Sequence, residues 1–209
     1  MIVSEPVGPL IEWRRRVNRS EIEIKLNQDR VWLLDKYAAM SNEDRTRPIT
    51  TSKHDGAADW SAKDHLVHLS GIERAFNRMI RRHLEGDPNP VGLTARPDGS
   101  APTREEMMRM LKDTSEESLR KREEIMARVH AMNEDWVAKH RDKSFAEVVA
   151  LGQKVRGETL ELLGSLTDEQ LQQLLPGAPW GDGTIGGVMA INGDHGRRHY
   201  DSVAAGLAR

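Results

Sequence analysis

Asp194-His195-Gly196-Arg197-Arg198-His199 stands near the end of a 209-residue chain, inside a segment patterned as a helix from Val188 to Leu207. Two histidines four residues apart on a helix lie one turn above the other and face the same way. Such a pair can offer two imidazoles to one metal ion. A third ligand has to come from another segment, and Trp60-Ser61-Ala62-Lys63-Asp64-His65-Leu66-Val67-His68-Leu69 carries two more histidines. The pair alone is weak: with eight histidines in the chain, an i,i+4 pair arises in roughly one shuffled chain in four, the false-positive risk of any short motif. Its setting strengthens it. Gly193 and Gly196 cost about 1 kcal/mol each in a helix relative to Ala, which makes sense where another helix or a ligand comes close. The spacing matches the metalloprotease helix motif, but that chemistry needs Glu directly after the first His as general base. Gly196 holds that position, so ligands are supplied without the base.

Outward from these stretches, the chain reads as helical throughout. Ser20 with Glu23 has the form of a capping box, in which each side chain satisfies an orphan amide of the first turn. Ile22, Leu26, Leu33, Tyr37 and Met40 then recur at helical spacing, which predicts a first long helix over about residues 20–41. Residues 1–19 hold Pro6, Gly8 and Pro9 and are expected to form an irregular lead-in, with a short helical piece over Leu10 to Val17. Ser41 to Asp59 is polar and reads as a loop. Ser61 with Asp64 opens a second helix, with Leu66, Leu69, Ile72, Phe76, Met79 and Ile80 as its apolar stripe. Gly86 stands where that helix should stop. Four prolines mark residues 87–102 as a loop. Thr103 with Glu106, Ser144 with Glu147 and Thr167 with Gln170 are further helix starts, and Thr184 caps the final helix. Lys112 to Glu124 is almost entirely polar, which marks a broken or protruding helix. No run alternates with period two over six or more residues. The expectation is an all-α, four-helix bundle in a single domain over 1–209, with at least one crossover connection.

Composition narrows the function. Thirty-one basic and 33 acidic residues give a formal net charge of −2, without the basic excess of a nucleic-acid binder. Arg14-Arg15-Arg16 and Arg78/Arg81/Arg82 alternate with acids and read as solvated faces. With no cysteine in the chain, thiolate ligands and cysteine nucleophiles are excluded, and any thiol chemistry needs a low-molecular-weight thiol as co-substrate. No apolar run approaches the roughly 20 residues that span a bilayer. Met1 to Leu10 lacks the features of a signal peptide. No membrane partner and a cytoplasmic location are expected. His54, His83, His130 and His140 have no partner at ligand spacing and read as exposed. Trp60 and Trp180 read as core or loop anchors, with a stacking role toward a substrate as the alternative.

These features together resemble the DinB/YfiT-like family of metal-dependent enzymes, which includes thiol-dependent transferases and isomerases. The likeness rests on Trp60-Ser61 opening the second helix, His68-Leu69 eight residues after that Trp, the late His195/His199 pair, and the turn Trp180-Gly181-Asp182-Gly183-Thr184-Ile185 before the last helix. It covers residues from about 20 to 207. The resemblance implies a four-helix bundle with up-down-down-up order. It also implies a divalent metal on three histidines, one from the second helix and two from the fourth. By position these are His68, His195 and His199. The residues alone do not choose between His65 and His68, since both adjoin the apolar stripe; the resemblance leaves His65 as a neighbour. The polar stretch departs from the family pattern and is expected to be an extra helical insertion around residues 103–125.

Three imidazoles leave an open coordination position, which suits Zn²⁺ or Ni²⁺. Asp64 and Asn192 stand one turn from ligands and are candidates to orient an imidazole or line the pocket. The sequence therefore points to a metal-dependent enzyme acting on a small molecule by hydrolysis or thiol transfer, with detoxification or self-protection as the role the resemblance implies. The competing expectation is a non-catalytic protein that binds or sequesters a small molecule on the same fold. A structural homodimer with incidental histidines is the third. Dimerisation itself is an implication of the resemblance.

Overall fold

The computed structural model describes residues 18–54 and 56–209. The lead-in expected over residues 1–19 thus lies almost wholly outside the described residues, as does Arg14-Arg15-Arg16. The elements are α1 (Arg19–Ala38), α2 (Asn42–Thr46), β1 (Pro48–Thr50), β2 (Trp60–Ser61), α3 (Ala62–Leu84), α4 (Arg104–Lys112), α5 (Glu116–His140), α6 (Phe145–Ser165), α7 (Asp168–Leu171) and α8 (Ile185–Leu207). Helix starts follow the capping pattern. Ser61/Asp64, Thr103/Glu106, Ser144/Glu147 and Thr167/Gln170 form reciprocal boxes, and Thr184 accepts from the Gly187 amide. The first box differs. Asn18 with Glu21 makes it, so Ser20 falls within the first turn rather than at the cap. Gly86, at φ +87°, takes the left-handed position just after the C-cap of α3.

Helices α1, α3, α6 and α8 form the bundle, and α5 lies against α3. Ile22, Leu26, Phe76, Ile80, Leu163 and Met189 belong to one buried apolar cluster. Leu33, Tyr37, Leu66, Val67, Val148 and Val203 belong to the other. Burying each such side chain stabilises the fold by about 1.5–3 kcal/mol. Contacts advance together along α1 and α8, from Ile22 against Gly186, through Asp29 against Gly193, to Tyr37 against Tyr200. The order along α3 and α8 is reversed, with His65 on His199 and His68 on His195. Along α3 and α6 the contacts advance from Lys63 on the Lys143 carbonyl to Asn77 on Thr159.

Two parts of the chain depart from the expectation. The loop over residues 41–59 contains α2 and β1, and β1 pairs antiparallel with β2, Thr50 opposite Trp60. Strands of three and two residues are too short to show an alternating pattern. The helical insertion is also longer than expected, because α4 and α5 together reach His140. Its charged middle is solvated, whereas Ile125, Glu134, Val137 and His140 of α5 are buried. Among the described residues no helix is long and apolar enough to cross a membrane.

The bundle interior also holds charge. Glu73 is 2% exposed. It accepts hydrogen bonds from Arg156 Nε at 2.6 Å, Arg30 Nη2 at 2.8 Å and Thr159 Oγ1 at 2.8 Å. Removing one partner of such a buried set costs about 3–5 kcal/mol, because the other charge is left uncompensated. A second polar contact ties α1 to α8. Asp29 accepts from Lys25 and from Arg197, each at 2.9 Å. Its carboxylate presses on the α8 backbone where a Cβ on Gly193 would lie 1.6 Å from Oδ2. The glycine is there because a charged side chain occupies the space. Gly196 is less demanding, with Leu33 at an ordinary 3.5 Å.

Gly193→Ala should therefore destabilise the fold by about 1–3 kcal/mol, as overpacking does. Gly157→Ala, on α6 where nothing lies within 4 Å, should stabilise it by about 0.5–1 kcal/mol through helix propensity. Urea unfolding of the two variants beside the parent measures both; equal effects would contradict the close approach at Gly193.

Candidate metal centre

The capping box at Ser61 fixes the start of α3, since Asp64 Oδ2 accepts from the Ser61 amide at 2.9 Å and from its hydroxyl at 2.8 Å. One and two turns in, His65 and His68 face α8. There His195 and His199 meet them. Nitrogens of His68, His195 and His199 all lie within 4.8 Å of one another. The ring centroids are 4.6 Å apart for His68/His199 and His195/His199, and 5.5 Å for His68/His195. His65 stands behind them. Its Nδ1 is 2.8 Å from His199 Nδ1, and its Nε2 is 3.0 Å from Thr50 Oγ1. His199 Nε2 is in turn 2.8 Å from His195 Nε2. Both nitrogens of His199 thus face another imidazole nitrogen, while a neutral imidazole carries a single N–H.

Burial decides the charge state. Desolvation lowers the His65 pKa to about 4, opposed by the nearby Asp64 carboxylate. His68 falls to about 3 through burial and then the neighbouring His195 and His65. His195 falls to about 4 through burial and then the Arg198 charge. His199 is lowered furthest, by burial, by the three surrounding imidazoles and by Arg198. At neutral pH all four are neutral, as metal ligation requires. The donor set fits a borderline divalent ion: uncharged, largely desolvated nitrogens converge, and among the described residues no carboxylate completes the group.

The remaining candidates take separate places. Asp64 touches no imidazole by hydrogen bond; it caps its own helix and lies 3.6 Å from Arg141 Nε. Asn192 donates to the Met189 carbonyl at 3.2 Å and lines a cleft on the Asp29 and Arg30 side of His195. Trp60 packs against both α3 histidines, with centroids 5.4 Å from His65 and 5.1 Å from His68. Its Nε1 donates to Glu134 at 2.7 Å, and Arg141 pairs with the same carboxylate at 3.1 Å. Trp180 stacks on Phe76 at 4.9 Å. Both tryptophans border a cavity of about 530 Å³ that reaches His65, His68, His195 and His199.

Several contributors carried no sequence signal. Thr50 is one Thr in a polar loop, and its link to His65 exists only because β1 pairs with β2. His130 and His54, read as ordinary exposed histidines, border the cavity. His140, read the same way, is buried, with Nδ1 donating to the Trp136 carbonyl at 2.8 Å. An i,i+4 contact back to a carbonyl of its own helix cannot be told from solvent exposure by spacing.

A helical bundle enclosing a cluster of neutral imidazoles from its second and last long helices is the class of protein defined here. A family profile described as DinB superfamily matches residues 45–203, well over half of the chain, and the chain belongs to that superfamily. Among solved structures, the chain is similar to an uncharacterised protein from Escherichia coli UTI89, with a TM-score of 0.56 and 14% identity over 92% of this chain and 94% of the other. At that identity the likeness shows the fold alone. No curated protein matches the chain.

Because unfolded histidines protonate near 6.5 and these protonate near 4 or below, the unfolded state takes up protons first as pH falls. Stability of the metal-free protein should be full above about pH 6.5 and decline between about 6.5 and 4, by about 1.4 kcal/mol per pH unit for each imidazole. Urea midpoints at pH 7.5 and 5.5 check this, and a His68→Asn variant should show a shallower fall; identical midpoints would contradict the neutral cluster.

Proposed function

We propose that this chain is a metal-dependent enzyme in which His68, His195 and His199 hold one divalent ion, Zn²⁺ or Ni²⁺, and that it acts on a small molecule admitted through the adjoining cavity. The observation that carries the reading is the convergence within 4.8 Å of three neutral imidazoles from two helices, His68 buried and His195 and His199 half-buried. Membership of the DinB superfamily agrees with it. The up-down-down-up course expected for the bundle is supported by the order of contacts along α1, α3, α6 and α8. A bound divalent ion would supply Lewis acidity, polarising a substrate oxygen or lowering the pKa of a thiol or water. The protein's own part is to keep the imidazoles neutral, orient them and limit water around them. His65 and Thr50 orient His199: with Nε2 of His199 left as a lone pair for ligation, its Nδ1–H donates to His65 Nδ1, and His65 Nε2–H donates to Thr50.

The reaction is hydrolysis or thiol transfer. With no cysteine in the chain, a thiol nucleophile arrives as a low-molecular-weight co-substrate, in keeping with a detoxifying or self-protecting role. One observation favours a second reading, a protein that binds and sequesters a small molecule: among the described residues no carboxylate borders the cavity to act as a general base. The same proposal takes the protein as a cytoplasmic homodimer, which sedimentation of the purified chain and cell fractionation check.

Purified protein should carry close to one divalent ion per chain by elemental analysis, and His195→Ala with His199→Ala should remove it. Full metal content in that double variant would overturn the assignment. His65→Ala should keep the fold and weaken metal affinity by about 10–100-fold, the usual cost of losing an orienting partner, with His65→Gln retaining more of it. Unchanged affinity in His65→Ala, measured by competition with a chelator, would reduce His65 to a packing residue.

A further inference from the structure

The cavity over the imidazole cluster is lined by two unlike sets of side chains. Lys53, Arg198 and the imidazoles of His54 and His130 border it, with Lys53 and His54 close enough to His130 to reinforce the lowering of its pKa by burial. Phe76, Trp180, Ile191 and Val129 contribute apolar surface, Phe76 and Trp180 in ring contact at 4.9 Å. Among the described residues no Asp or Glu borders it, in a chain whose acids outnumber its bases, 33 to 31. Carboxylates that adjoin the cluster's surroundings are engaged elsewhere, Asp194 by Lys25. Glu134 accepts from Trp60, Ser52 and Arg141, and Asp64 is held by Ser61. Neither Lys53 nor Arg198 is ion-paired with an acid among the described residues. Their charge is felt by the neighbours: Lys53 and His54 add to burial in lowering the His130 pKa, and Arg198 does so at His195. Unneutralised cations around an opening attract anions and raise their local concentration. A volume of about 530 Å³ is that of a pocket for a drug-sized molecule, where apolar walls supply affinity and a few polar groups fix orientation.

We propose that the substrate is a small organic anion with an apolar, ring-sized body, its acidic group paired with Arg198 and Lys53 and its body laid on the Phe76/Trp180 wall beside the three histidines. This rests on the reading of the cavity as the entrance to a metal centre, and extends it to the class of molecule admitted. Lys53 and Arg198 are both exposed, so the anionic end stays at the rim, where the cations are solvated, and the body reaches the imidazoles.

Phenylacetate and its neutral isostere phenylacetamide serve as probes, with tryptophan fluorescence or ligand-observed NMR on the full-length, metal-supplemented protein as the readout. Phenylacetate should bind more tightly, by about three- to tenfold, the range expected of partly exposed ion pairs, and the preference should shrink as salt rises. Arg198→Gln and Lys53→Gln should each reduce phenylacetate affinity and leave phenylacetamide affinity and metal content unchanged. Equal binding of the two probes, or a carboxylate preference that survives both substitutions, would overturn the proposal, the latter because the carboxylate is then held elsewhere. Metal content measured on the same samples separates the two readings. A charge-dependent preference without metal leaves the anion site standing and removes the metal centre. Metal at full occupancy with no preference does the reverse.

Discussion

Neutrality of buried imidazoles is the constraint on which the rest of this structure depends. Four histidines are gathered where water is scarce, and desolvation holds them uncharged far below the pH at which free histidine protonates. In that state each offers a lone pair and one N–H. Their mutual contacts at 2.8 Å are tolerable only because none carries charge. A protonated member would face like-charged neighbours at hydrogen-bond distance inside a poorly screening interior. The bundle bears the cost of assembling such a cluster, and large apolar side chains above and below it supply the offsetting stability.

The cluster in turn dictates how the helices meet. Imidazoles from α3 and α8 converge only if α8 is held firmly from its other side. Helix α1 does this through Asp29, whose carboxylate lies against the Gly193 backbone and is clasped by Arg197 and Lys25. Glu73, one face round from His68 on α3, locks α3 to α6 and α1 through Arg156 and Arg30. The two ionic contacts position the scaffold, and the histidines occupy what it leaves between α3 and α8. Helix α5 closes part of the remaining side and lends Val129 and His130 to the cavity.

Much of this was legible in the chain. Capping boxes placed four helix starts to the residue, because each consists of two side chains at fixed spacing. The His195/His199 spacing and the His65/His68 pair mark the two stretches that form the cluster. Gly193 signalled a close approach, although its partner, an aspartate from α1, could not be named from spacing. What was not legible depends on contacts distant in sequence. Thr50 reaches His65 only through a pairing of three residues with two. His140 disappears into the fold by bonding to its own helix. The inner half of α5 carries Ile125, Met126, Val129, Met132 and Trp136 at helical spacing, but part of its buried face is Glu134 and His140, which no apolar pattern marks. The choice between His65 and His68 was likewise closed to periodicity, both lying on the buried side of α3.

X-ray absorption at the edge of the bound metal tests the central claim most directly. The account predicts a shell containing three nitrogen donors with the outer-shell scattering of imidazole rings, reduced by one ring in His68→Ala. A shell of oxygen donors, or one unchanged in that variant, would contradict it.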